Sequence, residues 1–143
     1  MDIKQDILQK LPYDKPFLFV DELLHIDEEG AKGVFTFDPN MECYRGHFKN
    51  HPVTPGVLLI ETMAQIGLVC LGIYITQEKQ VQHIAFTSSE VEFLQPVYPG
   101  ETVTVVSRKI YFRFGKLKCA VQLFKANGEE ACSGTLSGII LTQ

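Results

Sequence analysis

Glu61 and His47 are the two residues whose types and positions suggest chemistry. Glu61 lies within an otherwise apolar stretch, residues 56–75, that is predicted to be a helix, and His47 lies on the Pro/Gly-rich loop ahead of it. An ionised carboxylate costs several kcal/mol to bury unless a partner compensates, so a sequence that keeps one there is predicted to use it. Imidazole and carboxyl groups are common proton donors and acceptors in enzymes, which makes His47 the candidate partner of Glu61.

Composition places these residues in one ordinary globular domain, expected over residues 1–143. The chain is 45% hydrophobic and 21% charged, and its net charge of −4 disfavours binding of nucleic acid, which is gripped by clustered Lys and Arg. The N-terminus lacks a basic segment followed by an apolar one, and the cysteines show no C-x-x-C spacing. We therefore expect a reduced, cytoplasmic protein with small-molecule or protein partners.

A short helix and a hairpin are predicted ahead of the loop. Asp2 is expected to cap the helix and Pro12 to stop it. Strands are predicted near residues 17–26 and 33–37, joined by a turn. The loop is expected over roughly residues 38–54, because its glycine and prolines forbid regular structure.

The long helix that carries Glu61 has clear start and stop signals. Thr54 is predicted to be its N-cap, Pro55 its first helical residue and Gln77 its approximate end. A helix of ~20 apolar residues is also long enough to span a membrane. Because Glu61 and Gln65 fall within it, and a charge at that depth is costly, a buried helix of a soluble protein is favoured.

The remainder of the chain is predicted to be β-strand. Segments rich in Val, Ile, Phe and Thr cover residues 81–86, 91–94, 102–114, 117–125 and 130–141. One apolar helix among about six antiparallel strands predicts an α+β hot-dog fold, in which the sheet wraps around a long central helix. One such domain leaves a sheet edge and part of the helix uncovered, so we expect at least a dimer.

Residues 44–65 (YRGHFKNHPVTPGVLLIETMAQ) resemble the signature of the 3-hydroxyacyl-[acyl-carrier-protein] dehydratases. The likeness extends to Leu11-Pro12, to residues 16–21 (PFLFVD) and to residues 92–101 (EFLQPVYPGE). It implies cofactor-free dehydration of 3-hydroxyacyl thioesters to trans-2-enoyl thioesters, in fatty-acid synthesis or a specialised lipid pathway, with no metal. The partners it implies are an acyl carrier protein bearing the chain on phosphopantetheine and a second copy of the chain, with hexamers permitted.

The resemblance also implies roles for individual residues. His47 is the expected catalytic histidine and Glu61 the catalytic carboxylate, meeting across the dimer interface. The reaction needs a base for the C2 proton, which suits histidine, and an acid for the C3 hydroxyl, which suits a glutamate whose pKa an apolar pocket raises. The backbone N–H of Gly56 or Val57 is the expected donor to the thioester oxygen, and Gln65 is expected to orient Glu61.

Four departures from the family pattern lie beside these residues. Lys49 and Asn50 stand where members usually have Pro-Gly, Thr54 replaces a commoner Met or Leu, and Thr62 replaces a commoner Ala. None removes a catalytic group. They bear on the range of acyl chains that the enzyme accepts, which the sequence leaves undecided.

Other interpretations of the same residues stay open. His47 could be a structural loop histidine, and Glu61 could belong to a structural ion pair. A hot-dog thioesterase would use the helix start and Glu61 to hydrolyse the thioester, and a catalytically silent acyl-binding protein would keep the fold alone. The Gly-His-Phe loop disfavours the thioesterase, and the intact pair His47 and Glu61 disfavours the silent protein.

Two further groups of residues have both a structural and a functional interpretation. A basic group on a predicted hairpin is either a solvated face or a surface complementary to an acidic carrier protein: Arg108, Lys109, Arg113, Lys116 and Lys118. Four phenylalanines are predicted to be core, or else the lining of an acyl tunnel: Phe17, Phe19, Phe86 and Phe93.

Overall fold

A computed structural model of the chain describes residues 2–77 and 81–142. Within them, six antiparallel strands form one sheet in the order β1-β2-β4-β5-β6-β3, packed against one long helix. The elements are α1 Ile3–Lys10, β1 Glu22–Ile26, β2 Ala31–Thr36, α2 Gly56–Thr76, β3 Val81–Phe93, β4 Thr102–Arg113, β5 Lys116–Phe124 and β6 Glu130–Thr142. This arrangement confirms the predicted α+β hot-dog fold.

The predicted N-terminal helix is confirmed together with its cap. The carboxylate of Asp2 accepts a hydrogen bond of 3.0 Å from the N–H of Gln5, and α1 ends at Lys10 before Pro12. The β1–β2 hairpin is also present, with Glu22 opposite Val34. Local signals were sufficient here because each acts within a few residues of the element that it ends.

The strand predicted over residues 17–26 is shorter than expected, because β1 begins only at Glu22. The residues ahead of it bond to a side chain instead of to the sheet. The carbonyl of Phe17 accepts from the amide of Gln65, and the N–H of Phe19 donates to the same amide. This segment is therefore held against the central helix rather than added to the hairpin.

The start of α2 also differs from the prediction, because Pro55 and not Thr54 is the N-cap. The carbonyl of Pro55 accepts from the N–H groups of Leu58 and Leu59, at 3.0 and 3.3 Å. The hydroxyl of Thr54 is turned away from the helix and shares a buried 2.6 Å hydrogen bond with the hydroxyl of Tyr44. The Thr54 hydroxyl, which the sequence assigned to capping the helix, is therefore hydrogen-bonded to Tyr44 instead.

The central helix is the core of the fold. It has a π-helical segment, Ala64–Val69, between two α-helical parts, and it ends at Gln77, which adopts a left-handed conformation. By length and composition the helix could cross a membrane, but 72% of its most apolar stretch is buried inside the protein. Such burial is what the core helix of a soluble domain shows.

Strand β3 replaces two predicted strands, over residues 81–86 and 91–94, with one continuous strand. It pairs along its length with β6, and a register shift between Phe86 and Ser88 accommodates the polar segment in the middle. Backbone pairing therefore continues through residues whose side chains are too polar to predict a strand. Among the described residues, β3 has a neighbour on one side only and is an edge of the sheet.

The four phenylalanines do not share one environment. Phe19 is buried in the core as predicted, whereas Phe17, Phe86 and Phe93 are each close to half exposed in the single chain. The core interpretation is therefore wrong for Phe17, Phe86 and Phe93, and each of the three lines a cavity, as the alternative interpretation allowed. Phe86 and Phe93 lie on the edge strand β3, so apolar surface is exposed where the sheet has a free edge.

Candidate active site

Glu61 lies in the second turn of α2 beside an amide whose orientation is fixed. Gln65 is fully buried and donates to Oε2 of Glu61 at 2.9 Å and to the carbonyl of Phe17 at 3.0 Å. Its own oxygen accepts from the N–H of Phe19 at 2.7 Å. Because a backbone N–H bonds only to an acceptor, the amide cannot flip, and its NH₂ group must face the carboxyl group.

The surroundings of Glu61 favour its protonated form. Burial raises the pKa of Glu61 above its usual range, and the hydrogen bond from Gln65 offsets part of that rise. The same hydrogen bond occupies Oε2 as an acceptor, which leaves Oε1 to carry the proton. A carboxyl group held in this way can give a proton to a group in the adjacent cavity.

That cavity has a volume of about 170 Å³, and most of the residues that line it are apolar. Glu61 and Tyr13 supply its polar side chains, and the other lining residues are Phe17, Ala64, Leu68, Val69, Ile84 and Phe86. The helix forms one wall, and β3 and the segment ahead of β1 form the others. An apolar chain with one polar group would fit such a lining.

His47 lies on the loop before α2 and is held in one tautomer. Its Nδ1 is 2.8 Å from the carbonyl oxygen of Val53, and the N–H of Val53 donates to the carbonyl of His47 at 2.9 Å. Since a carbonyl only accepts, Nδ1 must carry the hydrogen when the ring is neutral. Nε2 then keeps its lone pair and can act as a base.

The first residue of α2, Gly56, and His47 line the same cavity, which has a volume of about 420 Å³. The N–H groups of Leu58 and Leu59 bond to Pro55, while those of Gly56 and Val57 have no acceptor within residues 2–77 and 81–142. Val57 is largely exposed. Two free N–H groups at the positive end of a helix suit a developing negative charge on oxygen.

Gly56 has a packing role that the sequence did not indicate. A Cβ added at Gly56 would lie 2.9 Å from Cζ of Phe93, so the glycine allows that ring to rest on the helix start. The sequence assigned Gly56 only a backbone N–H that donates to the thioester oxygen. Replacing Gly56 would therefore disturb Phe93 as well as the proposed oxygen site.

The structure brings these residues together as two pairs rather than one cluster. Glu61 and Gln65 line or support the smaller cavity, and His47 and Gly56 line the larger one. The two cavities share no lining residue. Within one described chain, the imidazole and the carboxyl group therefore face separate spaces, and each space is bounded by residues of β3.

The departures from the family pattern have distinct environments. Asn50 has a φ of 58°, in the left-handed region that glycine and asparagine tolerate best, so it preserves the backbone expected of glycine. Thr62 is fully buried and its hydroxyl donates to the carbonyl of Leu58 at 2.8 Å. Lys49 is exposed, and Thr54 lines the His47 cavity.

Sequence reasoning missed two contributors to the two cavities, Tyr13 and Val53, and it missed the contact of Phe93 with Gly56. Val53 acts through its backbone, so its residue type carried no signal. Phe93 was noticed only as a possible core or tunnel residue, and its contact with Gly56 joins segments far apart in sequence. Tyr13 follows the Leu-Pro pair that ends the first helix, and only the fold places it beside Glu61.

Comparison with known proteins gives a consistent result. Residues 11–134 match the family model described as a FabA-like domain. The chain is 38% identical to the 3-hydroxyacyl-[acyl-carrier-protein] dehydratase FabZ of Thermus thermophilus, over 98% of this chain and 97% of that protein. It is 35% identical to FabZ of Caldicellulosiruptor saccharolyticus, over 91% of this chain and 92% of that protein.

A solved structure shows the same fold at low identity. The dehydratase heterocomplex ApeI:P from Xenorhabdus doucetiae contains a chain that superposes with a TM-score of 0.80 at 12% identity, covering 96% of this chain and 91% of that one. At such identity the likeness concerns the fold alone. It agrees with the sheet order and the central helix described above.

Proposed function

This chain belongs to the FabA-like domain family, and we propose that it dehydrates 3-hydroxyacyl chains, carried as thioesters on an acyl carrier protein, to trans-2-enoyl chains. The observation that carries the proposal is the similarity to FabZ dehydratases over nearly the whole chain. The geometry agrees with it, because the bond of Nδ1 of His47 to Val53 leaves Nε2 as the acceptor in the neutral ring, and Gln65 orients the carboxyl group of Glu61.

The two groups divide the reaction between them. Nε2 of His47 takes the C2 proton of the substrate, and the electron pair of that C–H bond forms the C2–C3 double bond. The C3–O bond breaks, and the departing oxygen takes the proton of Glu61 to leave as water. The N–H groups of Gly56 and Val57 stabilise the charge that builds on the thioester oxygen. Transfer of a proton from the imidazolium to the carboxylate then restores the starting state.

A homodimer explains why one chain holds the two groups in separate cavities. Phe93 bounds the His47 cavity and Phe86 bounds the Glu61 cavity, and both lie on the edge strand β3. Antiparallel pairing of β3 with the same strand of a second copy, about a two-fold axis near Ser89 and Glu90, sets residue 86 of one chain opposite residue 93 of the other.

This pairing would form each complete site from two chains. The His47 cavity of one copy would adjoin the Glu61 cavity of the other, and the exposed apolar side chains on β3 would be covered. We propose this homodimer, formed by domains spanning residues 1–143, as the active unit in the cytoplasm. Association of three such dimers into a hexamer is the further assembly that the sequence resemblance permits.

The hairpin between β4 and β5 is our proposed docking surface for the carrier protein. Phe114 at its tip is fully exposed, and it stands between Arg113 and Lys116. The guanidinium of Arg113 lies 4.2 Å from the ring centre of Tyr111, which holds the charge near the surface. A positive surface around an exposed ring complements an acidic protein that carries the substrate.

One assay tests the function directly. The protein is incubated with a 3-hydroxyacyl thioester, and enoyl product and free thiol are measured in parallel. We expect enoyl thioester without thiol. Release of thiol would identify a thioesterase instead, and the absence of both products would identify a silent acyl-binding protein.

Carrier docking is tested by comparing two substrates. Replacing Arg113 and Lys116 by Glu should lower kcat/KM for the carrier-bound substrate about tenfold or more, because rim charges mainly change association. The same acyl chain on a short pantetheine thioester should react at the parent rate. An equal loss with both substrates would place the effect in the site and not in docking.

A further inference from the structure

Tyr13 is the second polar side chain in the Glu61 cavity. The cavity of about 170 Å³ is otherwise lined by apolar side chains. Tyr13 is brought there by the segment between α1 and β1, which packs on the central helix through the bonds of Gln65 to Phe17 and Phe19. The amide that orients the carboxyl group thus also anchors the segment that carries the phenol.

The phenol of Tyr13 is a neutral hydrogen-bond donor over the whole working range of pH. Burial raises its pKa well above the usual value, and the nearby charge of Glu61 raises it further. In the part of the chain that the structure describes, its hydroxyl has no hydrogen-bond partner, and its oxygen is not sealed from solvent. The donor is therefore available to a molecule that enters the cavity.

We propose that the Tyr13 hydroxyl binds the 3-hydroxyl oxygen of the substrate while Glu61 protonates it. This inference rests on the proposed dehydratase function, since that reaction places a departing hydroxyl beside Glu61. As the C3–O bond breaks, negative charge grows on the oxygen, and a second donor stabilises it alongside the proton from Oε1 of Glu61. Tyr13 keeps its own proton throughout, so the balance of the reaction is unchanged.

The residues that line the cavity indicate that Tyr13 binds the substrate oxygen and does not serve only to pack the cavity wall. An apolar chain needs no donor, and a tyrosine in an apolar wall normally finds a partner for its hydroxyl. Here the other polar side chain of the lining is Glu61. Two donors that line one cavity beside six apolar residues match a ligand with one polar atom at that point of an alkyl chain.

The test replaces Tyr13 by Phe, which removes one oxygen and keeps the ring. We expect kcat to fall by about tenfold or more, the cost of losing one donor to a developing charge. The inhibition constant of a saturated acyl thioester of equal length, which lacks the 3-hydroxyl, should stay within about twofold of the parent value. Tyr74→Phe, a partly buried tyrosine at the far end of α2, is the matched control.

Each outcome decides the question. If Tyr13→Phe dehydrates at the parent rate, Tyr13 does not bind the departing oxygen, although the dehydratase function stands. If the saturated analogue loses affinity as much as turnover falls, the tyrosine shapes the cavity and the inference is wrong. A parent protein that gives no enoyl product overturns the proposed function and this inference with it.

Discussion

The two halves of the proposed site are built in different ways. Glu61 stands on a buried helix, and its carboxyl group is oriented by Gln65, which is fixed in turn by a segment more than forty residues away. His47 stands on a loop and is held by Val53, six residues along, through both its ring and its backbone. The acid therefore depends on tertiary burial, whereas the base depends on a local loop conformation.

This difference predicts how each half fails. A change in distant packing should alter the acid, because desolvation and Gln65 set its proton affinity. A change within the loop should alter the base, because one carbonyl fixes its tautomer. The proposed reaction uses both halves at once, so the most severe variants should be those that remove either reacting group.

The largest effect is expected for His47→Ala and Glu61→Gln. Each should lower dehydration by at least ~10², since each removes one proton-transfer group, while the protein stays folded. The double variant should be little worse than either single one, because the two groups act as a unit. Rates are measured from enoyl formation with circular dichroism as the folding check. A single variant with near-normal turnover would remove that residue from the mechanism.

Mixing the two inactive variants tests whether the halves come from different chains. Random exchange of His47→Ala and Glu61→Gln subunits makes heterodimers half of the population, and each has one intact site of two, so activity should return to roughly a quarter of the parent value. Subunit exchange is verified by mass-tagged copies. Exchange without recovered activity would mean that both groups of a site belong to one chain.

The sequence predicted the parts of the site that are local along the chain. Glu61 and Gln65 are four residues apart on a helix, so their contact follows from helical spacing. The carbonyl that holds His47 was not predictable, since every residue has one. Thr54 was assigned to the helix cap by a local rule, but Tyr44 takes its hydroxyl.

Long-range contacts explain the other differences between the prediction and the structure. The polar middle of β3 becomes strand because β6 pairs with it, and residues 17–19 leave the sheet because Gln65 binds their backbone. Neither partner is near in sequence. The elements followed from periodicity and turn residues, whereas the contacts between elements needed the fold.

Gln65→Leu should weaken the acid half selectively. It leaves the N–H of Phe19 and the carbonyl of Phe17 without partners, which should lower the free energy of unfolding by about 2–3 kcal/mol. Turnover should fall about tenfold, because Glu61 loses the group that orients it. Urea unfolding and steady-state kinetics measure the two effects.

A matched control for that variant is Gln122→Leu. Gln122 also donates to a carboxylate, that of Glu130 at 2.6 Å, but this pair lies at the surface. Its loss should change the free energy of unfolding by less than about 0.5 kcal/mol. Equal destabilisation by the two variants would show that the buried network of Gln65 is not special.

The raised pKa of Glu61 predicts how stability depends on pH. Because the folded carboxyl group holds its proton more tightly than the unfolded one, its protonation stabilises the fold. That stabilisation is complete below the unfolded pKa of about 4.3 and is lost as pH rises through the raised folded value. The free energy of unfolding of the parent should therefore fall relative to that of Glu61→Gln as pH rises from 4 to 8. If the free energies of unfolding of the two proteins changed in parallel with pH, the pKa of Glu61 would not be raised in the folded state.

The smallest effect is expected when the hydrogen bond between the hydroxyls of Thr54 and Tyr44, next to the His47 loop, is removed. If Thr54 caps α2, replacing it by Val should cost about 1 kcal/mol whatever residue occupies position 44. The structure instead pairs its hydroxyl with that of Tyr44 in a buried 2.6 Å bond. Thr54→Val should then cost about 1 kcal/mol by leaving the phenol unpaired, and much less when Tyr44→Phe removes that phenol as well. Denaturant unfolding of the four proteins of this cycle measures the coupling, and additive costs would restore the capping role.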